Sequence, residues 1–281
     1  MSTNDLGTVL IRREAIMSTN DLGTVLITGA SGGIGLSMAK RLAPRSSRLI
    51  LTARSAERLE AAARECRNLG AKEVVVLPVD LAATDGPDQL LDELARRSLT
   101  VDVLVNNAGF GLAGEFLALG EAEQLDIIRL NVLAVVALTR QLLPGMVQRR
   151  RGIVFNVAST AGFAPGPYMA TYYASKAFVI AWSEAIRLEL AGSGVRVTTF
   201  CPGPTLTGFA DRAGAKETTL FRRGFVMDAE QVAELAVRSL DRGGIVIPGL
   251  PNKLLALVIG LSPRSIVLRV AAQLNRSRVA S

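Results

Sequence analysis

The chain has 281 residues, of which 49% are hydrophobic and 20% charged, and its formal net charge is +7. This composition excludes a disordered chain and supplies a large apolar core, while two cysteines are too few for a disulfide framework. Because the sequence contains no histidine, Ser-His-Asp catalysis, histidine acid/base chemistry and ordinary zinc sites are excluded, and we expect no metal.

The N-terminus carries a short repeat, in which residues 1–10, MSTNDLGTVL, recur letter for letter at 17–26. Only the second copy continues into Ile27, Thr28 and Gly29 and can supply a first strand leading into a glycine turn. We therefore expect residues 1–16 to be an artefactual, disordered extension, with a genuine N-terminal arm as the alternative. This end shows no basic segment followed by a long apolar one, which favours a cytoplasmic protein.

From Thr24 onward, short β-branched runs alternate with longer amphipathic stretches. Strands are predicted at 24–28, 48–53, 73–79, 101–106, 152–158, 195–201 and 244–247. Helices are predicted near 33–43, 55–69, 87–97, 121–148, 171–192 and 228–241. This alternation predicts an α/β fold over residues 17–249: a single doubly wound (Rossmann) domain with a mainly seven-stranded parallel sheet and helices on both faces.

The first predicted strand leads into a glycine turn over residues 28–35, TGASGGIG. Without side chains the backbone can turn tightly and approach a pyrophosphate, and the next helix presents free N–H groups and the positive end of its dipole. Glycine runs elsewhere often mark ordinary turns. The position directly after a first strand, however, predicts a dinucleotide site.

The choice of cofactor depends on the end of the second predicted strand, where Arg54 stands. NAD-type sites place a carboxylate here, which bonds the ribose 2′-hydroxyl and would repel a 2′-phosphate. An arginine favours the phosphate through a charge-assisted pair, and Ser31 is a candidate second donor. We therefore expect NADP(H) rather than NAD(H), with a merely solvated Arg54 as the alternative.

Three residues in the second half of the chain indicate hydride-transfer chemistry. Tyr172 and Lys176 stand four residues apart in a predicted helix, which places the ammonium beside the phenol on one face. This positive charge is expected to lower the pKa of Tyr172 toward the range useful for acid/base catalysis. Ser159, thirteen residues upstream of Tyr172, is a candidate to hold a substrate oxygen. Taken singly, each residue also fits an ordinary solvated helix face or turn.

Together, these motifs resemble those of the short-chain dehydrogenase/reductase family over residues 22 to about 248. The matching segments follow one another in the family's order. They are Thr28-Gly29-x-x-x-Gly33-x-Gly35, Val79-Asp80-Leu81, Asn106-Asn107-Ala108-Gly109, Asn131, the set of Ser159, Tyr172 and Lys176, and Pro202-Gly203-x-x-x-Thr207.

The resemblance implies a role for each matching residue. Tyr172 would be the general acid in reduction or the base in oxidation, Lys176 would lower its pKa and bond the nicotinamide ribose, and Ser159 would position the carbonyl oxygen. Asn131 would complete the catalytic set by supporting a proton relay. With Ser31 and Arg54 included, the expected cofactor-binding residues are Thr28, Gly29, Ser31, Gly33, Ile34, Gly35, Arg54, Asp80, Leu81, Asn107, Ala108, Gly109, Tyr172, Lys176, Pro202, Gly203 and Thr207.

The loop after Thr207 is the expected substrate pocket, and its phenylalanines Phe209, Phe221 and Phe225 indicate an apolar one. We expect an NADPH-dependent oxidoreductase that reduces a ketone or aldehyde of a moderately apolar small molecule, or oxidises the corresponding alcohol. We also expect a homo-oligomer, either a dimer or a tetramer. A non-catalytic NADP-binding module remains an alternative, whereas an epimerase or dehydratase would favour a Gly-x-x-Gly-x-x-Gly turn.

The C-terminal tail, residues 250–281, has five basic residues and no acid, and so holds +5 of the net charge of +7. The remaining charge is too small to indicate nucleic-acid binding. The tail is predicted to be a basic amphipathic helix, with an apolar face of Ile266, Val267, Val270, Ala271 and Leu274 opposite Arg269, Gln273 and Arg276.

Three roles are open for this helix: packing against the domain or a second subunit, flanking the substrate entrance, or peripheral contact with an anionic membrane. Because contact with a membrane is one of these roles, a further alternative is that the chain is a peripheral membrane or interaction protein. The longest apolar stretch of the tail is far short of the ~20 residues that a membrane-spanning helix needs. The tail also differs from the glycine-rich ending of the 3-oxoacyl-carrier-protein reductases, which makes a fatty-acid-synthesis role doubtful.

Overall fold

The computed structural model describes residues 21–215, 218 and 226–276. The expected extension at 1–16 lies outside the described residues, as do Phe221 and Phe225 of the predicted substrate pocket.

Seven strands form one parallel sheet in the order β3-β2-β1-β4-β5-β6-β9. The order reverses beside β1, so a crevice opens between the carboxyl ends of β1 and β4. The predicted doubly wound sheet is therefore confirmed. Its strands are β1 (Thr24–Thr28), β2 (Arg48–Ala53), β3 (Val74–Pro78), β4 (Val103–Asn106), β5 (Gly152–Val157), β6 (Val195–Phe200) and β9 (Gly244–Val246), and a separate pair is β7 (Thr205–Leu206) and β8 (Met227–Asp228).

Helices cover both faces of the sheet. One core cluster packs α1, α2 and α8 against one face, and a second packs α3, α5 and part of α6 against the other. The strands β1, β4 and β5 are wholly buried because they are covered on both sides. The helices are α1 (Gly33–Leu42), α2 (Ala56–Asn68), α3 (Gly86–Arg96), α4 (Glu121–Ile128), α5 (Ala134–Gln148), α6 (Ala170–Glu189), α7 (Gly208–Arg212), α8 (Ala229–Arg238), α9 (Leu250–Leu261) and α10 (Arg264–Asn275).

The long helix predicted at 121–148 is interrupted by a π-helical turn over Arg129–Leu133, which separates α4 from α5. Within the described part of the chain, Glu121–Gln148 is also the one helix long and apolar enough to cross a membrane, with a mean hydropathy of 1.5. Ala134, Leu138 and Met146 of α5 are nevertheless buried in the core. This segment therefore packs against one face of the sheet.

The sequence predicts one amphipathic helix in the tail, whereas the structure contains two. Between α9 and α10, Ser262 is extended, with ψ of 145°, directly before Pro263. A proline ring disfavours the helical conformation of the residue that precedes it, so Pro263 separates the two helices. The start of α9 is fixed by buried Asn252, whose Nδ2 donates to the Pro248 carbonyl at 2.8 Å.

Candidate active site

A cavity of about 890 Å³ lies in the crevice at the carboxyl ends of the strands. Most of the residues predicted for the site line it, and they come from separate strand-to-helix loops. The predicted residues that line it are Gly29, Ser31, Gly33, Ile34, Arg54, Asp80, Leu81, Asn107, Ala108, Gly109, Ser159, Tyr172, Lys176, Pro202, Gly203 and Thr207. Thr28, Gly35 and Asn131 do not line the cavity and instead contact residues that do.

The glycine turn is tied to the end of β4 by reciprocal hydrogen bonds. The Asn107 side chain donates to the Thr28 carbonyl at 2.8 Å. The Thr28 hydroxyl in turn accepts from the N–H groups of Asn107 and Ala108 at 3.0 and 2.9 Å. These bonds hold the loops after β1 and β4 side by side, where a dinucleotide would cross the sheet.

The start of α1 is open to the cavity. Its first turn carries no acidic side chain, and none of the described side chains caps it. Free N–H groups at a helix start, with the positive end of its dipole, suit a phosphate. Gly35 permits this arrangement, because a Cβ there would overlap the Gly29 carbonyl and the Asn107 amide.

Two arginines lie close to the end of β2: Arg54 just after the strand, as the sequence predicted, and Arg58 in the first turn of α2. Arg54 is 57% exposed, and its guanidinium lies 4.0 Å from the carboxylate of Asp80. Arg58, which the sequence analysis missed, reaches the turn so closely that a Cβ on Gly32 would lie 2.8 Å from its Nη2. Both arginines line the cavity together with Ser31. The available signal was the presence of Arg58 four residues after Arg54 in the sequence.

The predicted catalytic trio comes together where β5 and α6 meet. Tyr172, near the start of α6, has its hydroxyl hydrogen-bonded to Ser159, which follows β5. Lys176 is 5% exposed, and its Nζ donates to the Val157 carbonyl at 2.8 Å. The same Nζ lies 5.9 Å from the centre of the Tyr172 ring. Ser159 also accepts from the Ala161 N–H at 3.1 Å, which fixes its hydroxyl.

The expected lowering of the Tyr172 pKa by Lys176 is wrong. Burial raises the pKa of Tyr172 to about 12, and the hydrogen bond with Ser159 opposes that rise only in part. Part of the ring still faces the cavity. Burial also lowers the pKa of Lys176, to about 8. Both shifts arise from the tertiary structure, because the Lys176 amine bonds the Val157 carbonyl and the fold desolvates both side chains.

Asn131 lies in the π-helical turn, and its side chain is fully occupied by protein groups. Its Oδ1 accepts from the Phe110 N–H at 3.1 Å, while its Nδ2 donates to the Phe110 carbonyl and to the Ser175 hydroxyl, both at 3.0 Å. Gly109 allows this packing, since a Cβ there would lie 3.0 Å from Asn131 Oδ1 and 3.3 Å from Lys176 Nζ. The side chain of Asn131 is therefore placed to position neighbouring groups.

The far wall of the cavity is apolar and includes the tail. Phe209 packs against Tyr172 with ring centres 5.1 Å apart. The predicted apolar face of α10 lines the cavity, and so do Leu255, Val258 and Ile259 of α9. Of the expected roles for the tail, this arrangement favours packing against the domain beside the substrate entrance.

A buried polar link fixes α10 to α6, the helix that carries Tyr172. The hydroxyl of Tyr173, next to Tyr172, donates to Asn275 Oδ1 at 3.0 Å. Asn275, which is 1% exposed, donates in turn to the Pro167 carbonyl at 3.1 Å. This bond directs the hydroxyl of Tyr173 toward the tail.

Comparison with known proteins gives relatives over most of the chain. A ketoacyl reductase from Nostoc sp. is 37% identical over 177 residues, which cover 63% of this chain and 61% of the relative. A very-long-chain 3-oxoacyl-CoA reductase from Aspergillus clavatus is 35% identical over 61% of this chain and 50% of the relative. The chain thus spans between half and about three fifths of the length of these two proteins.

Solved structures match a larger share of this chain than these two relatives do. A short-chain dehydrogenase from Sphingobium yanoikuyae, solved with NADPH, is 34% identical, has a TM-score of 0.76, and covers 84% of this chain and 92% of its own. The model of the short chain dehydrogenase family matches residues 23–218. That range contains all the predicted site residues, and the chain therefore belongs to the short-chain dehydrogenase family.

Proposed function

We propose that this protein is an NADPH-dependent oxidoreductase that reduces a ketone or aldehyde of a moderately apolar small molecule, or oxidises the corresponding alcohol. The observation that carries the proposal is the meeting of Tyr172, Ser159 and Lys176 in the cavity that begins at the glycine turn. The names of the relatives, which are reductases and dehydrogenases, support the same class of reaction.

A nicotinamide cofactor fits the residues present. The open start of α1 would receive the pyrophosphate, and the paired loops after β1 and β4 would hold the dinucleotide across the sheet. Arg54, Arg58 and Ser31 would bind a ribose 2′-phosphate, because two guanidinium groups supply the charge-assisted donors that it requires. This set favours NADP(H) over NAD(H).

Bound in this cavity, the cofactor would supply the hydride in reduction and accept it in oxidation. Tyr172 donates its proton to the substrate oxygen during reduction, and Ser159 holds that oxygen next to the phenol. The raised pKa keeps Tyr172 protonated at neutral pH, and positive charge beside the phenolate is needed to bring that pKa toward the range useful for acid catalysis. Lys176 supplies positive charge near the phenolate as it forms.

The rate of reduction should fall as the pH rises through about 8. The pKa of Lys176 is lowered to about 8, so its amine is charged below that pH and neutral above it, while Tyr172 stays protonated throughout. The measurement is the pH dependence of kcat/KM with NADPH. Lys176→Arg, which keeps its charge, is the comparison, and its rate should not fall in that range. A wild-type rate that is flat or rising beyond pH ~9 would contradict this role of the amine.

The substrate class follows from the apolar wall. Phe209 and the inner faces of α9 and α10 favour a bulky or long apolar ketone over a small polar one. A 3-oxoacyl chain is a second candidate, since two matched relatives are named ketoacyl and very-long-chain 3-oxoacyl-CoA reductases and the wall could take an acyl chain.

The decisive test is a screen of the purified full chain with NADPH and with NADH against a carbonyl panel. The panel should contain short ketones, bulky aryl ketones, aldehydes and 3-oxoacyl thioesters. We expect NADPH to be consumed faster than NADH, with the highest kcat/KM for the bulky or long apolar carbonyls. Binding of NADPH without turnover of any carbonyl would instead support a non-catalytic NADP-binding module.

A further inference from the structure

The tail concentrates exposed apolar side chains to an unusual degree. Nine of the eighteen large apolar side chains that are exposed in the described residues lie between residues 250 and 270. Proteins rarely expose contiguous apolar patches of this kind unless something covers them.

The helix α9 has two apolar faces with different surroundings. Its inner face, which includes Leu255, Val258 and Ile259, lines the cavity. Its outer face is a ladder of Leu250, Leu254, Leu257 and Leu261, which are 80%, 61%, 59% and 79% exposed. These four residues fall in one narrow stripe of the helix and do not line the cavity. The leucine ladder therefore has no packing role in the cavity wall.

Charge indicates what covers the ladder. Lys253 lies beside the ladder, α10 carries exposed Arg264 and Arg269, and residues 250–281 contain no acid. A second copy of this face would bring like charges together, which disfavours self-association. An anionic bilayer offers hydrocarbon for the leucines and negative headgroups for the basic residues.

We propose that the outer face of α9, together with the basic residues of α9 and α10, docks this protein on an anionic lipid bilayer. The leucine ladder enters the boundary between headgroups and acyl chains, and Lys253, Arg264 and Arg269 lie among the headgroups. Docking of this kind is peripheral and salt-sensitive.

The docking face also bears on the substrate. Ile266 and Val270 of α10 both line the cavity and are 51% and 49% exposed, so the cavity reaches the surface along this helix. A docked protein would therefore open its cavity toward the bilayer and receive a lipid-dissolved carbonyl compound. This last step rests on the proposed function, whereas docking itself does not.

The test is co-sedimentation of the full chain with vesicles of phosphatidylcholine alone and of about three parts phosphatidylcholine to one part phosphatidylglycerol. The test variant is Leu254→Gln/Leu257→Gln/Leu261→Gln, which keeps helix-compatible side chains at exposed positions outside the cavity wall. The matched control is Leu117→Gln/Leu188→Gln, whose leucines are 94% and 72% exposed outside the tail.

We expect the wild type and the control to bind the anionic vesicles, and the ladder variant to bind at least about tenfold more weakly. Binding should weaken with salt and be lower on neutral vesicles. Equal binding by the ladder variant and the wild type, or no binding by the wild type, would overturn the proposal. The proposal would also be overturned if the ladder substitutions dissociated an oligomer in the absence of vesicles. Binding of this face to an acidic carrier protein, without binding to vesicles, would overturn it as well. NADPH turnover is measured separately and does not depend on these outcomes.

Discussion

Tyr172→Phe is expected to lower the kcat of carbonyl reduction by about a hundred- to ten-thousand-fold, the usual effect of removing a general acid. The phenylalanine ring keeps the contact with Phe209 and removes only the hydroxyl that bonds Ser159. Binding of NADPH should therefore remain close to that of the wild type. The measurements are single-turnover rates with the best carbonyl of the panel and a separate titration of NADPH.

Tyr173→Phe is the contrasting variant, because it removes the hydroxyl of the adjacent tyrosine. That hydroxyl donates to Asn275 and faces the tail, so its loss should cost far less turnover than the loss of the Tyr172 hydroxyl. Comparable activity in Tyr172→Phe and the wild type would refute the assigned acid. A larger loss in Tyr173→Phe would move the assignment to Tyr173.

Arg54→Asp is expected to reverse the preference for NADPH over NADH, with the ratio of their kcat/KM values changing by about ten- to a hundredfold or more. One charge-assisted hydrogen bond contributes about 1.5–3 kcal/mol, and each 1.4 kcal/mol is a factor of ten. The new carboxylate would in addition repel a 2′-phosphate and accept a bond from a 2′-hydroxyl. Arg58→Ala should also weaken NADPH binding and so lower the preference for NADPH over NADH.

Arg64→Asp is the matched control, because Arg64 is an exposed arginine of the same helix α2 as Arg58 and does not line the cavity. Its cofactor preference should equal that of the wild type. If Arg54→Asp and Arg58→Ala both keep the wild-type ratio, the phosphate contact lies elsewhere, and Arg212, which also lines the cavity, is the next arginine to change.

The fold could be predicted because its signals are local. Each strand of the main sheet is a short apolar run rich in β-branched residues, and each is observed within two residues of its predicted bounds. The glycine turn and the spacing of Tyr172 and Lys176 are also local, and they were sufficient to identify the family. The roles of the individual site residues stay predictions, which the variants above test.

What could not be predicted depends on neighbours far apart in the chain. The pKa of Tyr172 is raised because the folded protein desolvates the phenol and draws Lys176 toward Val157, and no spacing encodes that. The approach of Arg58 to the glycine turn needs β2 to lie beside β1. The two faces of α9 also become distinct only once the tail has packed over the cavity.

The hydrogen bonds from Tyr173 to Asn275 and from Asn275 to Pro167 connect α10 to the helix that carries Tyr172 and to the loop before that helix. Lifting α10 away would break both bonds, at a net cost of about 0.5–1.5 kcal/mol for each. A displacement of α10 would therefore be transmitted to the backbone next to Tyr172. The tail helix and the helix that carries the predicted proton donor are thus mechanically coupled.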